Sequence, residues 1–376
     1  MEQTIFPGVN KIAVLRATAL GDMIFALPAL KALHCAYPQA EIVYLGRDWH
    51  AGFLPGRLPG VKRVVAVPPV KCIEQLAQGL VIDPAAEADF FGRMQAENFD
   101  LALQMHGAGE FSNPFVLKLG ARFSAGLRSP KAPPLDRWIP FGYYQNEVIR
   151  LLEVAALAGA NTVSTSLQPC LPVLDADLAA AAPFLDGLRR PFAVIHPGST
   201  DPRRCWSPEK FATVADWIAG QGLEIILTGQ GEDGARIQAV QENMRAHALN
   251  LCDRLSLPAL TGLLSHSALF VGNDSGPLHL ALAVGAQAVG LFWVEYILNS
   301  MPLLRGNFYP LISWQRQCPR CGRFLDKAEA DHPAGPCTHY VSLIEEISPE
   351  DMIRGVETML RVKSNSPSRY TPGCNG

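Results

Sequence analysis

The chain has 376 residues, 48% of them hydrophobic and 18% charged, and 32 basic against 35 acidic side chains give a formal net charge of −3. At roughly 100–200 residues per domain, this length predicts two domains. The near-neutral charge disfavours a nucleic-acid binder that depends on its overall charge. No apolar run reaches the roughly 18 residues of a membrane-spanning helix, and the N-terminus lacks the pattern of a secretory signal.

The nine cysteines mostly stand singly in apolar surroundings, as small core residues do. The apolar content is sufficient for large cores, and the sequence shows no secretory signal. We therefore expect reduced thiols in the cytoplasm rather than a disulfide framework.

Short apolar runs alternate with amphipathic stretches in the first half of the chain. Pro28 should kink the first helix or mark its effective start, and Gly159 is well placed to end the last one. The predicted strands are residues 11–16, 41–45, 64–67 and 100–105, and the predicted helices are residues 22–37, 86–98 and 146–158.

The same alternation restarts after a polar, proline-containing linker at residues 162–177. Strands that alternate with helices indicate parallel sheets covered on both faces. The fold class is therefore predicted as α/β, with two doubly wound domains that bind ligands at the carboxyl ends of their strands. The second half has predicted strands at 192–196, 223–228, 269–272 and 288–293, and predicted helices at 208–220, 232–247 and 277–284.

The end of the chain predicts one more helix. Ser348, Pro349, Glu350 and Asp351 supply an N-cap, a first helical residue and acids for the positive end of the helix dipole. The domain boundaries that follow are 1–170, 171–347 with a Cys-rich segment at 315–340, a helix at 348–363 and a disordered tail at 364–376.

The turn after the first strand, residues 16–22, is rich in small residues between 17 and 21 and ends at Asp22. Small residues let a ligand or another backbone come close. Asp22 is either the N-cap of the following helix or a catalytic carboxylate. The turn does not match the GxGxxG pattern of a dinucleotide site.

The loop after the first strand of the second half carries the hydroxyls of Ser199 and Thr200 and the charges of Arg203 and Arg204. An arginine fork matches phosphate oxygens. The loop is therefore either a phosphate site at the end of a strand or a solvated loop with two surface arginines.

Two further turns lie between a predicted strand and the next predicted helix, where ligands bind in such folds. At residues 272–280, the amides of Ser275, Gly276 and Leu278 are predicted to be unpaired at a helix N-terminus, where anions bind. A well-capped helix and a core histidine at His279 remain alternatives. At residues 228–233, Gln230 or Glu232 is placed to bond a ribose hydroxyl, and a plain N-cap is the alternative.

Together these residues resemble glycosyltransferase family nine, whose best-known members are the ADP-heptose:lipopolysaccharide heptosyltransferases. The resemblance covers residue 11 to about residue 360. It rests on four segments in this order: RATALGDMIFALPALKAL, IHPGSTDPRRCWSPEKFATVADWI, ILTGQGED and VGNDSGPLHLALAVGAQAVGLF.

The resemblance implies the GT-B architecture, with two Rossmann-like domains facing across a cleft. It implies an inverting transfer without a catalytic metal or other catalytic cofactor, with Asp22 as general base and Arg204, where many relatives have Lys, facing the leaving group. The implied donor contacts are Ser199, Thr200, Gln230, Glu232, Asp274, Ser275, Gly276, Leu278 and His279. The implied acceptor contacts are Thr18, Gly21, Gln104 and His106.

The expected donor is an ADP-sugar, with ADP-heptose as the leading choice, and the acceptor is a lipid-linked or oligosaccharide glycan such as the lipopolysaccharide core. Peripheral contact with the cytoplasmic face of the inner membrane is compatible with such an acceptor, and no nucleic-acid partner is expected. Another nucleotide-sugar or acceptor, or a non-catalytic nucleotide-sugar-binding protein, remains open.

The Cys-rich segment has the spacing C-x2-C-x15-C-x-H, formed by Cys318, Cys321, Cys337 and His339. These residue types at this spacing can supply four tetrahedral ligands to a structural zinc ion. His332 competes as the fourth ligand, and three reduced loop cysteines are the alternative.

Overall fold

The computed structural model describes residues 4–58, 60–70, 83–325 and 337–365. The chain divides into two compact units, Met1–Leu171 and Pro172–Gly376. They are called the N-terminal unit and the C-terminal unit.

The N-terminal unit is built on a six-stranded parallel sheet with the strand order β3-β2-β1-β4-β5-β6. The strands of this sheet are β1 (Lys11–Leu15), β2 (Glu41–Gly46), β3 (Val61–Ala66), β4 (Leu101–Gln104), β5 (Phe123–Arg128) and β6 (Arg137–Pro140). The helices are α1 (Leu20–Phe25), α2 (Leu27–Ala36), α3 (Asp48–Phe53), α4 (Pro84–Ala96), α5 (Ser112–Lys118) and α6 (Glu147–Leu157).

The C-terminal unit repeats this topology, with the strand order β12-β11-β10-β7-β8-β9. Its strands are β7 (Phe192–His196), β8 (Glu224–Leu227), β9 (Ala248–Asn250), β10 (Leu269–Asn273), β11 (Ala288–Trp293) and β12 (Phe308–Ser313). Its helices are α7 (Asp175–Leu185), α8 (Pro208–Gly220), α9 (Asp233–Asn243), α10 (Leu257–His266), α11 (Gly276–Ala283), α12 (Ile297–Ser300) and α13 (Pro349–Asn365).

Each unit has its own hydrophobic core. The central strands are buried on both faces, so they consist of continuous apolar runs such as KIAVL in β1 and FAVIH in β7. Helix α13 and residues 343–347 complete the core of the C-terminal unit, where Ile347 and Met352 join the same buried cluster as Trp206. The predicted α/β class with two doubly wound domains is thus confirmed.

The strand order reverses between β1 and β4 in the first sheet and between β7 and β10 in the second. The connections that leave these strands turn to opposite faces of the sheet, so their carboxyl ends are left open to a ligand. Each unit therefore has one topological position where a binding site is expected.

Several predicted bounds need correction. The predicted helix 22–37 is two helices, α1 and α2, because Pro28 near the start of α2 cannot continue the hydrogen-bond ladder. Residues 364 and 365 of the predicted tail belong to α13, and residues 366–376 lie outside the described residues. Strands β5, β6, β9 and β12 and helices α3, α5, α7, α10 and α12 were not predicted.

The expectation of unpaired cysteines is wrong at Cys170, which is disulfide-bonded. Six other described cysteines are free thiols. Within the described ranges, no helix is both long and apolar enough to cross a membrane.

Candidate active site

The loop that leaves β7, residues 197–206, is anchored at both ends by buried contacts and is called the Arg204 loop. Asn273 of β10 holds it through two bonds, since its Nδ2 donates to the carbonyl of Pro197 at 2.8 Å and its Oδ1 accepts from the amide of Trp206 at 3.3 Å. The fully buried Trp206 indole donates to the carbonyl of Ile347 at 3.0 Å. The loop is therefore rigidly attached to the switch point of the second sheet.

The two arginines of the loop have different partners. Arg203 forms a fork with the carboxylate of Asp201, with its Nη2 2.8 Å from Oδ2. The Asp201 side chain also caps the short 3₁₀ turn Pro202–Arg204 by accepting from the Arg203 amide at 3.0 Å. Arg203 thus stabilises the turn, and Arg204 points elsewhere.

Arg204 meets the turn that follows β10. Its Nη1 lies 3.2 Å from Oδ2 of Asp274, and its Nη2 donates to the hydroxyl of Thr200 at 3.2 Å. The guanidinium carbon lies 4.4 Å from the centre of the Tyr296 ring, a cation–π contact. The β7 loop and the β10 turn, 70 residues apart in sequence, are thereby joined at one point.

Asp274 is the buried centre of this cluster, with a side chain only 2% exposed. Its Oδ1 lies 3.1 Å from Nε2 of His279, and its Oδ2 accepts from the Ser300 hydroxyl at 3.0 Å. Burial alone would raise the pKa of Asp274, but the His279 hydrogen bond, followed by the charges of His279 and Arg204, brings the pKa below its usual value. Asp274 is therefore an ionised acceptor that orients His279 and Arg204.

Two buried polar atoms of this cluster have no hydrogen-bond partner among the described residues: Nε of Arg204 and Oγ of Ser275. Ser275 occupies the N-cap position of α11 without capping it. The Ser199 hydroxyl reaches the carbonyl of Asp274 at 3.4 Å. Buried donors are normally paired, so these two atoms are candidates for bonds to a ligand.

One prediction for this turn is wrong. The amide of Leu278 is not free, because it donates to the carbonyl of Ser275 at 3.1 Å. The Leu278 side chain is fully buried. The contribution of Leu278 is therefore to the packing of the helix start, while Gly276 begins α11 as its first residue.

The turn between β8 and α9 presents two exposed side chains, Gln230 and Glu232. Glu232 stands at the N-cap position of α9, but its side chain makes no capping bond. Asp233, the first residue of α9, instead accepts from the amide of Gln230, which lies before the helix, at 3.2 Å. A Cβ at position 198 of the Arg204 loop would clash with the carboxylate of Asp233, so a side chain there would force Asp233 to move.

In the N-terminal unit, Asp22 lies in the first turn of α1, where the N-cap residue is Ala19. The N-cap interpretation of Asp22 is therefore wrong. Its carboxylate is 49% exposed and lies 3.7 Å from Nη2 of the buried Arg16. Arg16 in turn pairs with Glu147 at 2.9 Å and donates to the carbonyl of Met105 at 2.6 Å.

The predicted acceptor residues surround the switch point between β1 and β4, in different states of burial. Gln104 is fully buried, and its Nε2 donates to the carbonyl of His106 at 2.7 Å and to the Ser112 hydroxyl at 2.5 Å. These hydrogen bonds from Gln104 stabilise the loop that follows β4. Burial, followed by the charges of Arg16 and Arg47, lowers the pKa of His106 to about 4.

The remaining two acceptor candidates belong to the turn after β1. Gly21 is buried inside α1. The hydroxyl of Thr18 and Nδ1 of His106 are buried without a hydrogen-bond partner in the part of the chain that the structure describes. Thr18 and His106 therefore retain bonding capacity, whereas Gln104 has its capacity filled by the chain.

The four residues of the Cys-rich segment come together in the C-terminal unit. The ligand atoms of Cys318, Cys321, Cys337 and His339 all lie within 4.8 Å of one another. The competing residue, His332, lies outside the described residues.

Sequence reasoning missed Arg16, Tyr296 and Ser300. A basic residue directly after the first buried strand was a usable signal for Arg16. No local pattern pointed to Tyr296 and Ser300, since they reach Arg204 and Asp274 only through the fold.

The model of the family described as "Glycosyltransferase family 9 (heptosyltransferase)" matches residues 88–302 of the chain. More than half of the chain is covered, and the matched part includes the Arg204 loop and the Asp274 turn. The family model thus defines the class of this protein as a glycosyltransferase. The chain belongs to glycosyltransferase family 9.

A curated relative agrees with this family. Lipopolysaccharide heptosyltransferase 3 of Escherichia coli K12 is 25% identical over 175 residues, which are 44% of this chain and 48% of that protein. The alignment therefore spans about half the length of that relative.

Two solved structures share the fold over nearly the full chain. A family 9 glycosyltransferase from Veillonella parvula has a TM-score of 0.75 at 20% identity, covering 96% of this chain and 99% of its own. The E. coli ADP-heptose lps heptosyltransferase II has a TM-score of 0.72 at 18% identity, covering 94% and 99%.

Proposed function

We propose that this protein transfers a heptosyl group from ADP-heptose to a lipopolysaccharide-core or related glycan acceptor, with inversion at the anomeric carbon. Family membership supports glycosyl transfer, and the names of the relatives support this donor and acceptor. The enzyme would act in the cytoplasm, at the membrane face where such an acceptor is exposed.

The observation that carries the proposal is the pair of unsatisfied buried donors, Nε of Arg204 and Oγ of Ser275. They lie on the two segments joined by the Arg204–Asp274 ion pair, at the carboxyl ends of β7 and β10. A diphosphate offers the acceptor oxygens that these donors lack. The N-terminus of α11 adds its dipole to the same anion.

The departing nucleotide gains negative charge as the glycosidic bond breaks. Arg204 and the start of α11 would stabilise that charge in a preorganised way, so the chemical step would need no metal. Glu232 and Gln230, exposed on the neighbouring turn, would contact the ribose. His279, which Asp274 orients, would be a further donor contact.

Asp22 would act as the general base in the N-terminal unit. An acceptor hydroxyl is a weak nucleophile, so a carboxylate must take its proton as the new bond forms. Asp22 combines an exposed carboxylate with a fixed main chain. Thr18 and His106, with unfilled bonding capacity, would contact the acceptor.

A thermal-shift screen with ADP-, UDP- and GDP-sugars tests the donor assignment, because a ligand that binds only the folded state raises its melting temperature. We expect ADP-heptose to give the largest shift. A larger shift with a UDP- or GDP-sugar would replace the proposed donor. Binding of ADP-heptose without transfer or hydrolysis would favour a non-catalytic binding protein.

A further inference from the structure

Besides the cluster around Arg204 and Asp274, the C-terminal unit has a cluster of cysteine and histidine side chains at the Cys-rich segment. Cys318 and Cys321 sit on a tight hairpin in which the Gly322 amide donates to the Cys318 carbonyl at 2.9 Å and the Cys318 amide donates to the Arg323 carbonyl at 2.8 Å. Gly322 has a φ of +70°, which favours glycine. The hairpin turns both thiols to the same side, toward the chain that returns at Cys337.

Three of the distances between the ligand atoms are close to those of tetrahedral zinc coordination, and all of the ligand atoms lie within 4.8 Å of one another. A tetrahedral zinc ion, with bonds of about 2.3 Å to sulfur and about 2.0 Å to nitrogen, separates two sulfur ligands by about 3.8 Å and a sulfur from a nitrogen by about 3.5 Å. Here Sγ of Cys321 and Cys337 are 3.8 Å apart. Nδ1 of His339 lies 3.6 Å from Sγ of Cys337 and 3.7 Å from Sγ of Cys318.

We propose that Cys318, Cys321, Cys337 and His339 bind one structural zinc ion, which fastens the segment after β12 against the Arg204 loop. Four protein ligands close the coordination sphere, so no position is left for a water or a substrate. Thiolate and imidazole ligands select zinc over magnesium or calcium, which prefer oxygen. The ion therefore has an architectural role and no role in sugar transfer.

The connection to the Arg204 loop is short. Residues 341–347 follow His339 directly and are called the buttress segment. The Leu343 amide donates to the carbonyl of Arg203 at 2.8 Å, and the Ile347 carbonyl accepts from the Trp206 indole at 3.0 Å. Ser313 at the end of β12 donates to the Leu343 carbonyl at 2.5 Å.

Cys318 belongs to the same buried cluster as Trp206 and Ile344. One ligand of the ion is therefore part of the core, and the ligand nearest the buttress segment, His339, is separated from Leu343 by three residues. Loss of the ion would free the chain at Cys337 and His339. The buttress segment that follows would then hold the Arg204 loop less firmly through its bonds to Arg203 and Trp206.

Elemental analysis of the full chain, purified without chelator, tests the site. We expect about one zinc ion per chain in the wild type and loss of most of it in Cys321→Ser, which changes an exposed ligand and should spare the core. Cys35→Ser, an exposed free thiol in the N-terminal unit, should keep its zinc. Metal-free protein with three freely titratable thiols, one equivalent of iron in place of zinc, or zinc retained in Cys321→Ser would each overturn the assignment.

A second measurement on the wild type does not depend on a variant. Exchange of the bound ion for Co²⁺ should give thiolate-to-cobalt charge-transfer bands, and their absence from cobalt-loaded protein would contradict the ligand set. Amide hydrogen exchange should quicken in residues 341–347 and 200–206 after metal removal, and stay unchanged in β1. Unchanged exchange in the buttress segment would overturn its link to the ion. Neither readout uses sugar transfer, so failure here is distinct from failure of the proposed function.

Discussion

The guanidinium of Arg16 holds the main-chain carbonyl of Asp22 with two hydrogen bonds, from Nε at 3.1 Å and from Nη2 at 2.9 Å. The Asp22 carboxylate lies farther from the same cation, at 3.7 Å. The first turn of α1 is therefore fixed through the backbone. The carboxylate is left half-exposed, with its lone pairs available to a substrate hydroxyl.

Asp22→Asn should keep the fold and ADP-sugar binding, because Arg16 bonds to the main chain that this change preserves. Turnover should fall roughly 10²–10⁴-fold, the usual contribution of a general base. Steady-state kinetics with the acceptor give the comparison. Asp48→Asn, also an exposed acid in the first turn of a helix in this unit, should retain wild-type turnover. Turnover of Asp22→Asn within a few-fold of wild type would remove Asp22 from the mechanism.

Arg204→Ala should weaken ADP binding by roughly tenfold to a hundredfold, since a charge-assisted hydrogen bond contributes about 1.5–3 kcal/mol. Arg204→Lys should recover part of the affinity because it keeps the charge and loses the fork. Calorimetric titration with ADP measures both. Arg190→Ala removes an exposed arginine of the same unit and should leave the affinity unchanged. ADP affinity and turnover that both survive Arg204→Ala would contradict the phosphate assignment.

Gln104→Glu should lower the free energy of unfolding by about 1–3 kcal/mol, because it replaces the buried donor of three hydrogen bonds by an acceptor. Gln95→Glu, at an exposed glutamine of α4, should cost little. Urea denaturation measures the difference. A normal stability combined with a raised KM for the acceptor would instead make Gln104 a direct acceptor contact.

His50 should make stability depend on pH. Burial, followed by the charges of Arg47 and Arg16, lowers the pKa of this histidine from 6.5 to about 4. Between these values the unfolded chain binds more protons than the folded one, so stability rises with pH through this window and is lost as the pH falls. We expect a loss of about 2 kcal/mol from pH 7 to pH 5 attributable to His50.

Urea denaturation of His50→Gln at both pH values isolates this contribution. The variant should lose less stability between pH 7 and pH 5 than the wild type, whatever its stability at pH 7. His247→Gln, an exposed histidine, should behave as the wild type does. An identical pH response in His50→Gln and wild type would show that His50 is protonated with similar ease in both states.

The buried central elements were predictable from sequence because their apolar pattern is strong. The bounds of β7, α8 and β11 agree with the predicted ones. The missed strands lie toward the sheet edges. Strand β6 alternates half-buried and exposed residues, and β12 contains Pro310. Such segments become strands through their neighbours rather than through their own propensity.

Site residues that lie close together in the sequence could be predicted. Contacts between residues far apart in the sequence could not, because only the fold brings them together. Residues 199–204 combine hydroxyls with arginines directly after a strand, and residues 274–279 form a polar turn before a helix, so both were recognisable from sequence. The pairing of Arg204 with Asp274 spans 70 residues, and that of Arg16 with Glu147 spans 131. The local sequence gave no sign of these partners, since each ion pair depends on the order of strands in a sheet.

The two sheets share one strand order, and this order limits which parts of the sequence must be kept as the protein evolves. A ligand position that arises where the crossover direction reverses belongs to the topology, and it persists while the surrounding side chains are replaced. The fold is shared over nearly the full chain with proteins at 18–20% identity. Substrate choice is therefore free to diverge by substitutions in the loops after β1, β4, β7 and β10, with the two sheets left as they are.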